Sequence, residues 1–205
     1  MLKSRFDRDS RKYRGGFTLL EILLVLALLV VLSVVTWPSL GRMLGRQDME
    51  RAISDVQVLL SAARVRATEA GATYQFRYEV GGRRYVLVPA DAAELVAVAD
   101  TPGTDIATAA AAAWKRSGKL PESVTFKQTD AQAPSGDAIQ TELLAGLLDA
   151  DDLSRAVWGP PVLFHPDGTA SDSIFAITDD DDESMTITVR GLTGGTQAFV
   201  TAVEE

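Results

Sequence analysis

The sequence predicts an α+β protein in which one long amino-terminal helix packs on an antiparallel β-sheet body, arranged as a two-sheet sandwich. Two observations carry this prediction. Apolar residues recur at helical spacing as far as residue 70, and after Gly71 the pattern changes to alternation at every second residue. With 205 residues, of which 46% are hydrophobic and 23% are charged, the chain has the composition of one globular domain with an appendage.

Charge is distributed unevenly along the chain. Residues 1–16 hold six basic and two acidic side chains, a net charge of +4, so the remainder must carry −12 for the total to be −8. An acidic body of this kind disfavours a general nucleic-acid surface. The chain has no cysteine and a single histidine, His165. This excludes disulfides, thiolate metal sites, a cysteine nucleophile and any site built from several imidazoles.

An apolar segment follows the basic residues. It runs from Phe17 to Trp37 with one charge, Glu21, and as a helix it spans roughly the 30 Å of a bilayer's hydrocarbon core. The basic residues before it predict a cytoplasmic amino terminus and a body on the far side of the membrane. No small-x-small cleavage site follows, because Val34 to Pro38 is bulky, and a plain signal-anchor is the simple alternative. A lone intramembrane carboxylate is costly, which marks Glu21 as a candidate functional residue.

The start of the apolar segment carries a specific motif. Residues 15–21 read Gly-Gly-Phe-Thr-Leu-Leu-Glu, after a basic leader. This stretch resembles the class III leader of type IV prepilins and type II secretion pseudopilins. The resemblance implies that a prepilin peptidase cuts after Gly16 and methylates Phe17, the new amino terminus. It also implies that Glu21 neutralises the amino terminus of a neighbouring subunit during assembly. Pro38 fits the same family, in which a proline at this place bends or locally melts the helix.

The helix is predicted to continue past Pro38 to residue 70, with Gly71 as its stop. Its second half carries an apolar stripe at three- and four-residue spacing, formed by Ile53, Val56, Leu60, Ala63, Ala67 and Ala70. The predicted organisation is a leader at 1–16, a helix at 17–71 with its transmembrane half at 17–37, and a β-rich periplasmic domain at 72–205.

The body is predicted to be antiparallel sheet. Residues 72–80 and 83–88 alternate around Gly81-Gly82, which indicates a hairpin with a two-residue turn. Further strands are predicted at residues 124–128, 161–165, 173–178, 185–190 and 196–203. Insertions at about 89–120 and 129–158 interrupt the sheet. The first, with an alanine run, is predicted as helix or loop, and the second holds a short helix from Asp137 to Leu148. We expect partner-specific surface there.

Three short motifs, one at the end of the helix and two in the body, narrow the resemblance to one subfamily. Residues 60–67 are similar to the LxxARxxA signature of the GspH/FimT subfamily, residues 162–170 to its FxPDGT strand and turn, and residues 187–197 to its closing hairpin. The resemblance implies a pilin-like fold and a structural subunit. The implied partners are prepilin peptidase, other pseudopilins, the inner-membrane assembly platform and membrane lipid. The implied location is the inner membrane, in a single pass, and the pseudopilus after assembly.

The function predicted from these features is that of a minor pseudopilin of a type II secretion system, which supports protein secretion. The alternative is a FimT-like type IV minor pilin that binds DNA for uptake. Its candidate basic residues are Arg83-Arg84 and the cluster from Lys115 to Lys119. Because the mature chain is strongly acidic, we do not expect nucleic acid as a partner.

An enzyme is not expected, because no phosphate-binding or catalytic motif is present and the leader motif would be left unexplained. His165 is interpreted as a structural or surface residue. The acidic clusters at residues 149–152 and 179–183 could offer oxygen ligands to calcium, but neither has the glycine and spacing of an EF-hand. We interpret them as solvated loops and expect no metal and no cofactor.

Overall fold

The computed structural model describes residues 18–97, 105–129 and 138–201. The chain divides into two compact units, Met1–Gly41 and Arg42–Glu205. Helix α1 (Leu19–Ala70) contributes its first part to one unit and its remainder to the other. The predicted leader and Phe17 lie outside the described residues.

The second unit is built on two four-stranded antiparallel sheets. The first has the order β3-β2-β1-β5, from β1 (Tyr74–Tyr78), β2 (Arg84–Pro89), β3 (Arg116–Lys119) and β5 (Val162–Phe164). The second has the order β4-β6-β7-β8, from β4 (Val124–Gln128), β6 (Ser173–Asp179), β7 (Ser184–Val189) and β8 (Thr196–Thr201). The short helices are α2 (Ala92–Ala97), α3 (Ile106–Ala112), α4 (Thr141–Leu144) and α5 (Ala150–Ser154). The predicted α+β class and two-sheet body are confirmed.

The main core lies where the second part of α1 packs on both sheets. The predicted stripe is buried from Ile53 to Ala67, and its members contact core residues of either sheet. Tyr78 of β1 stacks on Phe175 of β6 with ring centroids 4.9 Å apart, which joins the two sheets directly. Ala70 is exposed, because the helix ends there and Gly71 follows in the left-handed conformation, as predicted.

The insertions build a second core on the other face of the first sheet. Val86 and Val88 of β2 lie in a separate buried cluster with Leu143 of α4, Leu153 of α5 and Trp158. Strand β1 is therefore buried on both faces, although its alternation predicts one polar face.

The buried polar side chains of β1 form hydrogen bonds. Gln75 is 6% exposed, and its Nε2 donates to the carbonyls of Pro89 and Ala90 at 3.1 and 3.2 Å. Arg77 is 4% exposed, and its Nη1 donates to Gln75 Oε1 at 3.2 Å. Buried polar groups need such partners, so these two residues fit a covered face.

Two sequence predictions for the insertions are wrong in part. Residues 116–119 form strand β3 rather than helix or loop, because they pair with β2 from Arg84↔Lys119 to Leu87↔Arg116. The helix predicted from Asp137 to Leu148 is reduced to α4, and Gly146 follows with a φ of +86° before α5 begins. Its first predicted residue, Asp137, lies outside the described residues.

The predicted two-residue turn at Gly81-Gly82 is also wrong. The amide of Glu79 donates to the carbonyl of Arg84 at 2.9 Å, so the loop comprises residues 80–83. The longer loop reaches β4, where the Gly81 amide donates to the Phe126 carbonyl and the Phe126 amide donates to the Gly82 carbonyl. The hairpin tip therefore connects the first sheet to an edge of the second.

We predict that Tyr78→Phe stabilises the protein. The Tyr78 hydroxyl is buried without a hydrogen-bond partner in the described part of the chain, so its removal is expected to add about 1 kcal/mol at neutral pH. Burial also raises the pKa of Tyr78 from 10.0 to about 12. Below pH 10 the Tyr78 hydroxyl is protonated in both the folded and the unfolded chain, so the protein keeps its full stability. As the pH rises towards 12 the unfolded chain ionises first, and the folded state loses stability.

The variant should therefore lose less stability than the wild type between pH 10 and 12. Urea unfolding of the full chain in mild detergent, at a series of pH values, measures both effects. Tyr85→Phe is the control for the effect at pH 7, since Tyr85 is half-buried and its hydroxyl is not among the buried atoms without a partner. A loss of stability at pH 7 on Tyr78→Phe contradicts the prediction.

Candidate functional site

The start of helix α1 has the geometry of a capped helix end. The hydroxyl of Thr18 accepts a hydrogen bond from the Glu21 amide at 3.2 Å, and the Thr18 carbonyl accepts from the Glu21 and Ile22 amides at 3.1 and 3.2 Å. Thr18 and Glu21 occupy the N-cap and N3 positions, which is the spacing of a capping box. The motif identified in the sequence is thus also a helix start signal.

The Glu21 carboxylate is exposed on an otherwise apolar helix surface. Its neighbours Leu20, Leu24 and Val25 expose between 48% and 72% of their surface. Over the described residues the carboxylate has no ion pair, although its position in the first helical turn suits a negative charge. It can therefore pair with a cation that the described chain does not supply.

Within the part of the chain that the structure describes, no helix has both the length and the apolar character needed to span a membrane. The predicted span at 17–37 starts outside that part, and the side chains of 34–37 also lie outside it. Pro38 lies within α1, but its side chain is not described, so a helix bend there stays a prediction.

The LxxARxxA motif divides into buried and exposed members at the other end of α1. Leu60, Ala63 and Ala67 are completely buried in the main core, and Arg64 is exposed. The Nε of Arg64 donates to the carbonyl of Gly168 at 3.1 Å. The small residues allow the helix to lie close to the sheets, and the arginine fixes its end.

The FxPDGT motif forms the turn that Arg64 contacts. The Asp167 carboxylate accepts from the Thr169 hydroxyl at 2.7 Å and from the Thr169 amide at 2.9 Å. These two bonds, the hydroxyl first, hold the pKa of the Asp167 carboxyl below its usual value. The amide of Gly168 donates to the His165 carbonyl at 3.0 Å. The turn is closed on itself, and the fold brings together two motifs that lie 104 residues apart.

Gly194, in the motif at residues 187–197, also lies beside Arg64. Its φ is +58°, and a Cβ at this position would lie 2.9 Å from Arg64 Cδ and 3.2 Å from the Gly168 carbonyl oxygen. Arg64 therefore lies between the two turns that end the FxPDGT segment and begin β8.

Two residues of the predicted basic clusters, Arg84 and Lys119, are paired with acidic side chains. Arg84 lies opposite Lys119 in the sheet, so the fold brings the two predicted basic clusters together. Arg84 contacts Glu79 at 3.6 Å and Asp152 at 3.9 Å, and Lys119 Nζ contacts Asp149 Oδ2 at 3.6 Å. These pairs reduce the positive potential that a nucleic-acid site requires.

Two arginines lie close to the ring of Trp114, a contact that sequence reasoning missed. The guanidinium of Arg66 lies 5.4 Å from the ring centre and that of Arg116 lies 5.3 Å away, within the range of cation–π contacts. Lys115 Nζ donates to the carbonyl of Ala145 at 2.8 Å, at the end of α4. The only signal in the sequence is the run of basic residues after the tryptophan, and it does not specify these partners.

The acidic loop at residues 179–183 is closed by its own hydrogen bonds. Asp179 Oδ1 accepts from the amides of Asp181 and Glu183 at 3.0 and 2.9 Å. Among the described residues, no group of three or more histidine or carboxylate side chains is arranged to hold a metal ion.

Residues 11–37 match the family model described as the prokaryotic N-terminal methylation motif. The chain carries a prokaryotic N-terminal methylation motif. The match includes Gly16, Phe17 and Glu21, and it confirms the leader predicted from the sequence. No curated protein is similar to the chain in sequence.

Several solved structures resemble the chain in fold, among them the following three. Two are of the minor pseudopilin EpsH from the type 2 secretion system of Vibrio cholerae, at 11% identity and TM-scores of 0.43 and 0.45. They cover 75% and 78% of this chain and 97% and 98% of their own. The third is the solution structure of E. coli GspH, at 13% identity and a TM-score of 0.43, covering 75% of this chain and 89% of its own. These scores describe a loose likeness.

We predict that Gly194→Ala costs more stability than Gly71→Ala. Both glycines have positive φ, so each substitution costs about 1–2 kcal/mol for the left-handed backbone. A Cβ at position 71 would meet nothing within 4 Å, whereas at position 194 it would also displace Arg64. Urea unfolding of the full-length variants compares the two. Equal losses would show that the Arg64 contact contributes nothing measurable.

Proposed function

We propose that the chain is a minor pseudopilin of a type II secretion system, a structural subunit that supports protein secretion. The observation that carries the proposal is the methylation motif at residues 11–37, followed by a helix whose first turn holds the Glu21 carboxylate without a partner among the described residues. A catalytic role is not proposed.

Processing is proposed to take place between Gly16 and Phe17, on the cytoplasmic side of the inner membrane. A prepilin peptidase cuts the peptide bond and methylates the new amine at Phe17. The mature chain then begins one residue before the Thr18 cap of helix α1. Cleavage removes the six basic residues of the leader and leaves one amine, four residues from Glu21.

Assembly is proposed to depend on a charge pair between subunits. The amine is positive at neutral pH, and the exposed leucines and valines around Glu21 suit the packing of one helix against another. A neighbouring subunit displaced along the helix axis would place its amine beside Glu21. Both charges are then neutralised in an apolar setting, where a single unpaired charge costs roughly 3–5 kcal/mol.

The proposed location follows from the same motif. The chain is held in the inner membrane with a cytoplasmic amino terminus and a periplasmic body, and it enters the pseudopilus on assembly. Its proposed partners are prepilin peptidase, the other pseudopilins, the assembly platform and membrane lipid.

DNA uptake, as in FimT-like minor pilins, has less support. Arg84 and Lys119, which belong to the two predicted basic clusters, are paired with carboxylates, and this reduces the positive charge that DNA phosphates would need. A fluorescence-anisotropy titration of the full chain with duplex DNA at low salt separates the two functions. Submicromolar, salt-sensitive binding would favour uptake.

We predict that co-expression with a prepilin peptidase gives a mature chain that starts at N-methylated Phe17. Intact-mass and amino-terminal analysis measure this directly. Gly16→Ala should abolish cleavage, because the peptidase must accommodate the residue before the cut, while Gly15→Ala is the matched control and should be processed. An uncut wild-type chain, with the peptidase active on a known substrate, would exclude the proposed processing.

We predict that Glu21→Gln is processed normally but enters assemblies about tenfold less than the wild type. A loss of about 1.4 kcal/mol in the free energy of association is enough to lower affinity tenfold. Thr18→Ala is the control, because it removes the helix cap and keeps the carboxylate. Co-purification with the sister subunits measures incorporation. If Glu21→Gln co-purifies as well as the wild type, the charge pair is not the basis of assembly.

A further inference from the structure

Among the residues that the structure describes, the two sheets have four edge strands, and three of these are protected. Strand β5 is covered by the following segment: the amide of Ser171 donates to the Leu163 carbonyl at 2.8 Å, and the Leu163 amide donates to the Ser171 hydroxyl at 2.8 Å. Strand β4 is covered by the hairpin loop through both backbone groups of Phe126. Strand β3 has four residues and carries charges at Arg116 and Lys119, which disfavour pairing with another strand.

The fourth edge, β8, lacks these protective features. Its six residues include no proline and no charge, and within the described chain no strand lies beyond it. Phe199 and Val200 point to opposite faces of the sheet and are 56% and 72% exposed. An uncharged edge with exposed apolar side chains on both faces is suited to strand addition.

The register of β8 shows which backbone groups face outward. The amide of Arg190 donates to the Gly195 carbonyl at 2.9 Å, so Gly195 occupies a hydrogen-bonded position opposite β7. Because such positions alternate in an antiparallel pair, Gln197 and Phe199 also bond to β7. The amides and carbonyls of Thr196, Ala198 and Val200 then point away from β7, towards the open edge.

The carboxyl end of the β8 edge lies beside negative charge. Thr201 pairs with Ser184, so the carboxyl end of β8 lies beside the acidic loop at residues 179–183. Its side chains from Asp180 to Glu183 are exposed. An antiparallel strand added to β8 would have its amino end there. Basic residues at that end would meet the carboxylates, and acidic residues would be repelled.

We propose that the β8 edge binds an extended segment of another protein by strand addition. The segment lies antiparallel to β8, is uncharged along the strand, and carries basic residues at its amino end, beside the acidic loop. This inference does not depend on the proposed pseudopilin function, because it uses only contacts within the second unit.

A synthetic peptide of the length of β8 tests the proposal: two lysines followed by alternating valine and threonine, with blocked ends. It is titrated into the isotope-labelled full chain in detergent micelles. We expect saturable binding and slower amide exchange at Ala198 and Val200, by about tenfold for one added hydrogen bond each. The amides of Gln197 and Phe199, already bonded to β7, should change little.

Two matched pairs locate the contact. Val200→Pro removes an outward amide and leaves the bonds to β7, so it should weaken binding about tenfold, whereas Val200→Thr keeps the amide and should bind within about threefold of the wild type. A peptide with glutamates in place of the lysines should bind about tenfold more weakly than the original. Circular dichroism verifies that both variants are folded, and the peptide pair tests the proposal on the wild-type chain alone.

Three results would overturn the proposal. The first is a wild-type chain whose Ala198 and Val200 amides exchange at the same rate with and without peptide. The second is equal binding of the lysine and glutamate peptides. The third is a dimer of the chain itself, formed without peptide and lost in Val200→Pro, which would assign the edge to a second copy.

Discussion

Burial of one face of helix α1 between two sheets is the interaction on which the body depends. Ile53, Val56 and Leu60 lie in one buried cluster with side chains from both sheets, so the core of each sheet includes the helix. The sheets contact each other through the stack of Tyr78 on Phe175 and through the hairpin loop at β4. The helix therefore acts as the centre of the second unit rather than as an attachment to it.

Polar contacts hold the end of that helix and determine its position along its own axis. The hydrophobic effect is non-directional, whereas a hydrogen bond requires a defined distance and angle. The bond from Arg64 to the Gly168 carbonyl and the place of Arg66 on Trp114 each require one position. These residues set the register of the helix against the turns and against β3.

The parts of this structure that the sequence predicts are those with a regular period. The stripe from Ile53 to Ala67 is buried at helical spacing, and the strands β4, β6 and β7 lie where their sequence patterns predict them. Strand β3 was missed because its sequence, Arg-Ser-Gly-Lys, has no apolar face, and only pairing with β2 makes it a strand. The burial of Gln75 and Arg77 was missed because it depends on helices far along the chain.

The candidate site was predicted from a motif whose chemistry is local. Thr18 and Glu21 lie within one helical turn, so their relation can be read directly from spacing. The contact of Arg64 with Gly168 and the pairing of Lys119 with Asp149 join distant segments, and spacing carries no information about them.

The contacts along α1 also have a mechanical consequence. From Met49 to Ala67 the helix is held along its length, and Arg64 and Arg66 hold it near its end. A pull along the helix axis would load these contacts together, in shear, rather than breaking them one at a time. Residues 49–67 can thus transmit a pulling force along the helix axis to the sheets.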